Sequence, residues 1–119
     1  MTLGHELGRW GERIAAAYLQ DRGWRIRGRN VRMGPRELDL VAQRKELIAF
    51  VELKTRGPGR GSPLEAVTRK KRRDVRAAAA AWIRAHGRGH YLYRFDVIAV
   101  TPGRNGPPVV EHVANAWQN

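Results

Sequence analysis

The sequence of 119 residues contains no cysteine and few acidic residues, and it has no long apolar run. The absence of cysteine excludes disulfide bonds and thiolate metal sites. No segment approaches the roughly 20 apolar residues of a membrane-spanning helix, and the first ten residues lack the apolar core of a signal peptide. We therefore expect a cytoplasmic protein with no membrane partner, and the length fits a single domain over residues 1–119.

The charge balance is strongly basic. Lysine and arginine number 23 against 11 acidic residues, which gives a formal net charge of +12, and the pI is near 11.5. This balance favours a polyanionic partner, most simply nucleic acid. Arginine-rich coding bias is the alternative source of the charge, and composition does not separate DNA from RNA. A hydrophobic content of 42% is typical of a folded domain.

Two adjacent segments, Arg36–Ala42 and Leu47–Lys54, alternate between apolar and polar residues. Alternation of this kind predicts half-buried strands, and it places Leu38 and Leu40 on one face of the first strand. The short polar gap Gln43–Glu46 joins neighbouring antiparallel strands more easily than parallel ones. The sequence therefore predicts a hairpin.

Acidic side chains gather on the other predicted face of this hairpin. With a two-residue loop, Asp39 lies opposite Glu52, and Glu37 lies opposite Lys54. Neighbouring carboxylates repel unless a cation lies between them, and their oxygens suit Mg²⁺ or Mn²⁺. Such a metal polarises a phosphoryl oxygen and binds the attacking water, while the lysine positions that water or offsets developing charge. The alternative is a cross-strand ion pair on a solvated face.

Further elements are predicted from periodicity and capping. They are a helix over residues 3–22, a strand over Trp24–Val31, a helix capped by Thr68 and running to His86, a strand over Tyr91–Val100, and a strand over Val109–Val113 before a terminal turn at Ala114–Trp117. Asp96 is expected to pair with Arg94 or another arginine. The four histidines show no metal-ligand spacing, so they are expected to be structural or surface residues.

The first predicted helix contains two glycines, Gly8 and Gly11. Because glycine inside a helix costs roughly 1 kcal/mol against alanine, two within four residues predict that another backbone passes close by. Glu12 would then lean toward the sheet. The alternative is an exposed helix carboxylate.

Basic residues cluster after the hairpin. Arg56 and Arg60 lie in a loop rich in glycine and proline, which either closes over a nucleic-acid backbone or only connects two elements. The second helix opens with five consecutive cations, Arg69, Lys70, Lys71, Arg72 and Arg73. Cations at a helix N-terminus oppose its dipole, so these residues favour contact with phosphate over a merely solvated face.

The order of elements is helix, three antiparallel strands, helix, strand, strand. This is the α-β-β-β-α-β core order of the restriction-endonuclease-like fold, an α/β fold with a mixed central sheet flanked by helices. Seven segments resemble, in order, the YraN-like bacterial family of predicted nucleases: GRWGERIAAAYL, RNVR, ELDLVA, FVELKTR, AVTRKKRR, RFDVIAV and HVANAW. The resemblance covers nearly the whole chain.

The resemblance implies a catalytic and metal-binding site. Asp39, Glu52 and Lys54 correspond to the D-x(n)-E-x-K motif of this fold. Glu12 is similar to the first-helix glutamate of archaeal Holliday junction resolvases, which implies a catalytic and metal-ligand role for it. Glu37 matches the acid that the family has two positions before the aspartate, and it is a further expected metal ligand.

Arg36 stands where the family usually has glycine, and it either contacts phosphate or crowds the site. The resulting hypothesis is a Mg²⁺- or Mn²⁺-dependent endonuclease that acts on DNA, with branched or processed DNA as the substrate and a homodimer as the assembly that suits a two-fold symmetric junction. One alternative is a nucleic-acid-binding module that keeps the fold without hydrolysis. Another is an RNA-directed nuclease or a ribosome-associated factor.

Overall fold

The structure is a computed structural model that describes residues 3–57 and 61–117. Its elements are α1 (Leu3–Asp21), β1 (Arg25–Met33), β2 (Arg36–Arg44), β3 (Leu47–Thr55), a 3₁₀ turn (Leu64–Ala66), α2 (Arg69–His86), β4 (Leu92–Thr101) and β5 (Val109–Trp117). The predicted order of helices and strands is confirmed. Neither helix is long and apolar enough to cross a membrane within the described ranges.

The five strands form one mixed sheet in the order β1-β2-β3-β4-β5. Neighbouring strands are antiparallel except β3 and β4, which are parallel and are connected through α2. The predicted hairpin is confirmed, because Arg44 pairs with Leu47 across a loop of Lys45 and Glu46. The chain therefore has an α/β fold with a five-stranded mixed sheet and two helices.

The two helices cover opposite faces of the sheet. On one face, Trp82 of α2 packs edge-to-face on Phe50 of β3, with the ring centroids 5.6 Å apart. On the other face, Leu19 of α1 packs with Leu40 and Val51. Thr68 caps α2 by accepting a hydrogen bond from a backbone N–H in its first turn, as the sequence predicts. The acidic residues Asp39 and Glu52 lie on β2 and β3, in the sheet between the two helices.

The predicted alternation along β2 breaks at Asp39. Leu40 belongs to the cluster under α1, whereas Leu38 belongs to the cluster under α2, so the prediction that they share a face is wrong. The registered pairing of β2 with β3 extends to Leu40 and Val51. Beyond that pair, Asp39 Oδ2 accepts a hydrogen bond from the backbone N–H of Leu53, with 2.8 Å between nitrogen and oxygen. A side-chain oxygen thus stands where a partner strand would offer its carbonyl oxygen.

The C-terminal prediction needs correction, because β5 continues to Trp117 instead of turning at Ala114. Asn115 has a φ of 52° at an irregularity in the β4–β5 register. Its backbone N–H donates to the Asp96 carboxylate at 3.0 Å. The Trp117 ring stacks on Phe95 with the centroids 5.2 Å apart. These contacts hold the chain in the sheet past the position where the apolar alternation ends.

Asp96 pairs with Arg94, as the sequence predicts, and the structure shows that it is also buried at the centre of a network. Arg94 donates two hydrogen bonds to its carboxylate, at 2.9 and 3.1 Å, and His112 Nε2 donates a third at 2.8 Å. The other His112 nitrogen lies 3.1 Å from the Tyr18 hydroxyl of α1. Burial alone would raise the pKa of Asp96, but the hydrogen bonds from His112 and Arg94 outweigh it and lower that pKa. The network therefore ties α1 to β4 and β5.

Candidate functional site

The centre of the candidate site is a hydrogen-bonded pair of carboxyl groups, Asp39 and Glu52. Glu52 is only 2% exposed. Burial first, and then the hydrogen bond and negative charge of Asp39, raise the pKa of Glu52 to about 9. At neutral pH, Glu52 is therefore protonated, and its carboxyl O–H donates a hydrogen bond to Asp39. The predicted proximity of these two residues is confirmed, and it follows from the two-residue hairpin loop.

Two lysines supply positive charge beside this pair. Lys71 Nζ of α2 lies 3.6 Å from Glu52 Oε2. Lys54 follows Glu52 by two positions on β3, and its charge also favours ionised Glu52. The sequence predicts Lys71 as a nucleic-acid contact only, so its place beside the acids is a finding of the structure. The spacing gave a signal, because Lys71 precedes the buried Val75 by one helical turn and hence lies on the same helix face.

Glu12 lies across an open cleft of about 540 Å³ that Asp39 also lines. Glu12 Oε2 accepts a hydrogen bond from Asn30 Nδ2 at 2.8 Å, and Glu12 Oε1 lies 3.9 Å from an Arg29 nitrogen. The prediction that Glu12 leans toward the sheet is confirmed. Its partners, Asn30 and Arg29, both belong to β1.

The two helix glycines differ in their surroundings. A Cβ atom at Gly11 would collide with the Thr55 side chain, whose Cβ and Cγ2 would both lie 3.1 Å away. The predicted close approach is therefore present at Gly11, although the neighbour is a side chain. At Gly8, nothing lies within 4 Å of an added Cβ, so the prediction of a close backbone is wrong there. Gly8 instead lines the cleft.

Glu37 lies outside the hydrogen-bonded pair. It is opposite Arg32 in the β1–β2 register, and its Oε2 is 3.8 Å from an Arg32 nitrogen. Within residues 3–57 and 61–117, no three acidic or histidine side chains are close enough together to form a metal-binding group. The structure thus brings together two of the expected carboxylates, Asp39 and Glu52, and a metal-ligand role for Glu12 or Glu37 remains a prediction.

The predicted phosphate-contacting cations are distributed around this site. Arg36 reaches Asp74 of α2 at 3.5 Å, and Lys70 contacts the same carboxylate at 3.2 Å. Arg56 lies 3.6 Å from Glu111 and also donates to the Gly61 carbonyl at 2.8 Å. Arg60 lies outside the described residues. Three predicted residues line a separate cavity on α2, namely Arg69, Arg72 and Arg73.

The chemistry of the acid pair fits a hard divalent cation. Carboxylate oxygens are the ligands that Mg²⁺ and Mn²⁺ prefer. The proton on Glu52, which is hydrogen-bonded to Asp39, removes the repulsion that two ionised carboxylates would have. A divalent cation bound by both would relieve the same repulsion and release that proton.

Comparison with known proteins shows relatives along nearly the whole chain. Residues 11–100 match the family described as "Uncharacterised protein family UPF0102". A UPF0102 protein of Rhodococcus jostii is 46% identical over 112 residues, which is 93% of this chain and 95% of the relative. UPF0102 proteins of Anaeromyxobacter dehalogenans and Syntrophotalea carbinolica are 47% and 48% identical, covering 93% of this chain and 83% and 90% of the relatives.

These relatives agree with the YraN-like motifs that the sequence contains. The match spans the first helix, the acidic hairpin, α2 and β4. The chain belongs to the UPF0102 family.

Proposed function

We propose that this protein is a Mg²⁺- or Mn²⁺-dependent endonuclease that hydrolyses phosphodiester bonds in DNA. One observation carries the proposal: Asp39 and Glu52 are hydrogen-bonded to each other beside two lysines, where β2 and β3 part at an open cleft. Two adjacent carboxylates with cations beside them match the needs of metal-assisted phosphoryl chemistry. The order of elements and the YraN-like resemblance support a restriction-endonuclease-like fold for the same chain.

Asp39 and Glu52 would hold the metal, and Glu12, which lines the same cleft as Asp39, would complete its surroundings. When bound, such a metal polarises a phosphoryl oxygen and lowers the pKa of a bound water. The chain itself fixes the geometry, because the Leu53 backbone N–H orients the Asp39 carboxylate. That hydrogen bond fixes the position of Asp39 Oδ2.

Lys54 is the proposed catalytic cation. It lies two residues after Glu52 on the same strand, so its side chain is on the same side of β3. An ammonium group there would position the attacking water or offset the charge that develops on the phosphorane. Lys71 is a second cation at the pair, and it is a positioning residue for Glu52.

The substrate part of the proposal rests on charge. With a net charge of +12, the chain attracts polyanions through a salt-dependent term that is independent of sequence. We propose branched or processed DNA in the cytoplasm as the substrate, with a homodimer for junctions of two-fold symmetry. Arg36 and Arg56 flank the site and are proposed to exchange their internal partners for phosphate groups.

A cleavage assay tests the proposal. A labelled four-way junction and its component duplex are incubated with Mn²⁺ or Mg²⁺ and with wild type, Asp39→Asn, Lys54→Ala or the control Asp21→Asn, which changes an exposed helix carboxylate. Cleavage by wild type and the control, but by neither site variant, is the expected result. Absence of cleavage on junction, duplex, flap and single-stranded DNA with both metals would refute the nuclease proposal.

The second candidate function is a nucleic-acid-binding module, for DNA or RNA, without hydrolysis. The contact between Lys71 and Glu52 favours it, because this lysine supplies at the acid pair part of the positive charge that a metal would supply. The module predicts salt-sensitive binding that Asp39→Asn leaves unchanged, together with no cleavage. Comparing affinities for matched RNA and DNA at one salt concentration then separates the two kinds of partner.

A further inference from the structure

A second cationic feature lies on α2, apart from the acid pair. It is a cavity of about 370 Å³ lined by Arg69, Arg72, Arg73, Arg76 and Trp117, and we name it the arginine cavity. The four arginines have the spacing i, i+3, i+4 and i+7, which places them along one flank of the helix. The four arginines therefore line one cavity. Lys71, by contrast, contacts Glu52.

The charge of the arginine cavity is uncompensated. Lys70 and Lys71 on the same helix contact Asp74 and Glu52. No acidic side chain of residues 3–57 or 61–117 lies within 4.0 Å of a guanidinium nitrogen of the four cavity arginines. The first two helical turns also carry the positive end of the helix dipole, so this arrangement is electrostatically unfavourable without an anion.

One arginine of the cavity is held in place by the backbone. Arg72 Nε donates to the Val67 carbonyl at 3.1 Å, and its terminal nitrogen donates to the Leu64 carbonyl at 3.4 Å. Its guanidinium carbon also lies 5.8 Å from the centroid of the Trp117 ring. A group positioned in advance loses less conformational entropy when a ligand binds.

Trp117 forms the aromatic part of the cavity wall. The residue is 7% exposed, it lines the arginine cavity, and its Nε1 is buried with no hydrogen-bond acceptor among the described residues. A buried N–H without an acceptor is unfavourable by roughly 1–3 kcal/mol. The wall of the cavity thus combines four arginines with the largely buried side chain of Trp117.

We infer that the arginine cavity binds a backbone phosphate of a nucleic-acid strand. The inference rests on the proposed function only in that nucleic acid is the partner, and it does not require hydrolysis. Planar guanidinium groups match phosphate oxygens in paired hydrogen bonds, so four arginines suit a phosphate ligand. A strand bound there and at the acid pair would contact two separate faces of α2.

A binding experiment without divalent metal tests the cavity separately from the nuclease proposal. The affinity for a short DNA duplex is measured in EDTA at several salt concentrations for wild type, Arg73→Gln/Arg76→Gln and the control Arg84→Gln/Arg104→Gln. The control removes the same charge from exposed positions outside the cavity. Losing one phosphate contact reduces the slope of log affinity against log salt by about 0.9. We expect that reduction, with at least tenfold weaker binding at low salt, in the cavity variant alone.

A thermal-shift arm identifies the source of the phosphate. Inorganic phosphate and a deoxynucleoside monophosphate are added to wild type and to the cavity variant. If the salt slopes of the two double variants are equal but either compound raises the Tm of wild type alone, the cavity takes small phosphate compounds and the strand assignment is wrong. If neither the slopes nor the Tm values differ, the cavity binds no phosphate. Neither outcome depends on whether wild type cleaves DNA with Mn²⁺. Failure of this inference is therefore distinct from failure of the nuclease proposal.

Discussion

Replacing Glu52 with glutamine should stabilise the protein at alkaline pH and leave it nearly unchanged at acidic pH. Glutamine has the same shape and still offers a donor to Asp39, as protonated Glu52 does. The wild-type residue has a pKa of about 9 in the folded state against an ordinary value of 4.5. The unfolded chain therefore releases a proton that the folded chain retains.

The sign and size of the effect follow from this difference. Because folding raises the pKa, the contribution of Glu52 to stability is complete below about pH 4.5 and is lost as the pH rises toward 9. The loss is about 1.4 kcal/mol per pH unit. Between pH 5 and pH 8 the total is on the order of 3 to 4 kcal/mol, which corresponds to a Tm change of roughly 10 °C for a domain of this size.

Thermal unfolding followed by circular dichroism in EDTA measures this effect. Wild type, Glu52→Gln and the control Glu46→Gln, an exposed carboxylate in the hairpin loop, are compared at pH 5 and pH 8. The Tm advantage of Glu52→Gln over wild type should grow by roughly 10 °C between the two pH values, and the control should follow wild type. An equal Tm difference at both pH values would mean that Glu52 is ionised in the folded protein and that Lys71 compensates it.

Three other predictions concern the metal, the helix and the buried network. Mn²⁺ at 100 times its Kd should stabilise wild type at pH 8 by about 2.7 kcal/mol, and Asp39→Asn should abolish that thermal shift. Gly11→Ala should lower the free energy of unfolding by about 1–3 kcal/mol, because the added Cβ would collide with Thr55. Gly8→Ala should raise it by up to about 1 kcal/mol, because alanine is the better helix former and nothing lies near the added Cβ. Equal effects of the two substitutions in urea titrations would contradict this difference in packing. Asp96→Asn should destabilise by about 3–5 kcal/mol because it leaves the partly buried Arg94 without its anion. Wild type should lose this contribution as the pH falls below 3.8, the ordinary pKa of Asp96. An unchanged Tm at pH 7 would refute the role of the network.

The acid pair could be predicted because its determinants are local. A two-residue loop fixes the register of a hairpin, and that register pairs Leu40 with Val51, the neighbours of Asp39 and Glu52. The cap at Thr68 also follows from neighbouring residues, and the glycine inside α1 signals a close approach at Gly11 without identifying Thr55 of β3 as the contact. In each case the decisive contact depends on a short segment or on one known side-chain preference.

The missed features depend on contacts between distant segments. The break of alternation at Asp39 arises because its carboxylate satisfies the Leu53 N–H, and alternation alone contains no such information. Likewise, β5 continues past Ala114 because Asp96 accepts the Asn115 N–H from a neighbouring strand. The role of Lys71 required the angle at which α2 crosses β3. Periodicity gives the face of a helix, but it does not identify the residue that the face meets.

The hydrogen bond between the Leu53 backbone and Asp39 has a consequence for protein engineering. A main-chain donor is present whatever side chain occupies position 53, except in the case of proline, which has no N–H. Because Leu53 also packs against the cluster under α1, apolar residues of other shapes at position 53 can reshape the neighbouring cleft without releasing the carboxylate. A library at position 53 would thus alter which ligands enter the cleft while the acid pair keeps its geometry.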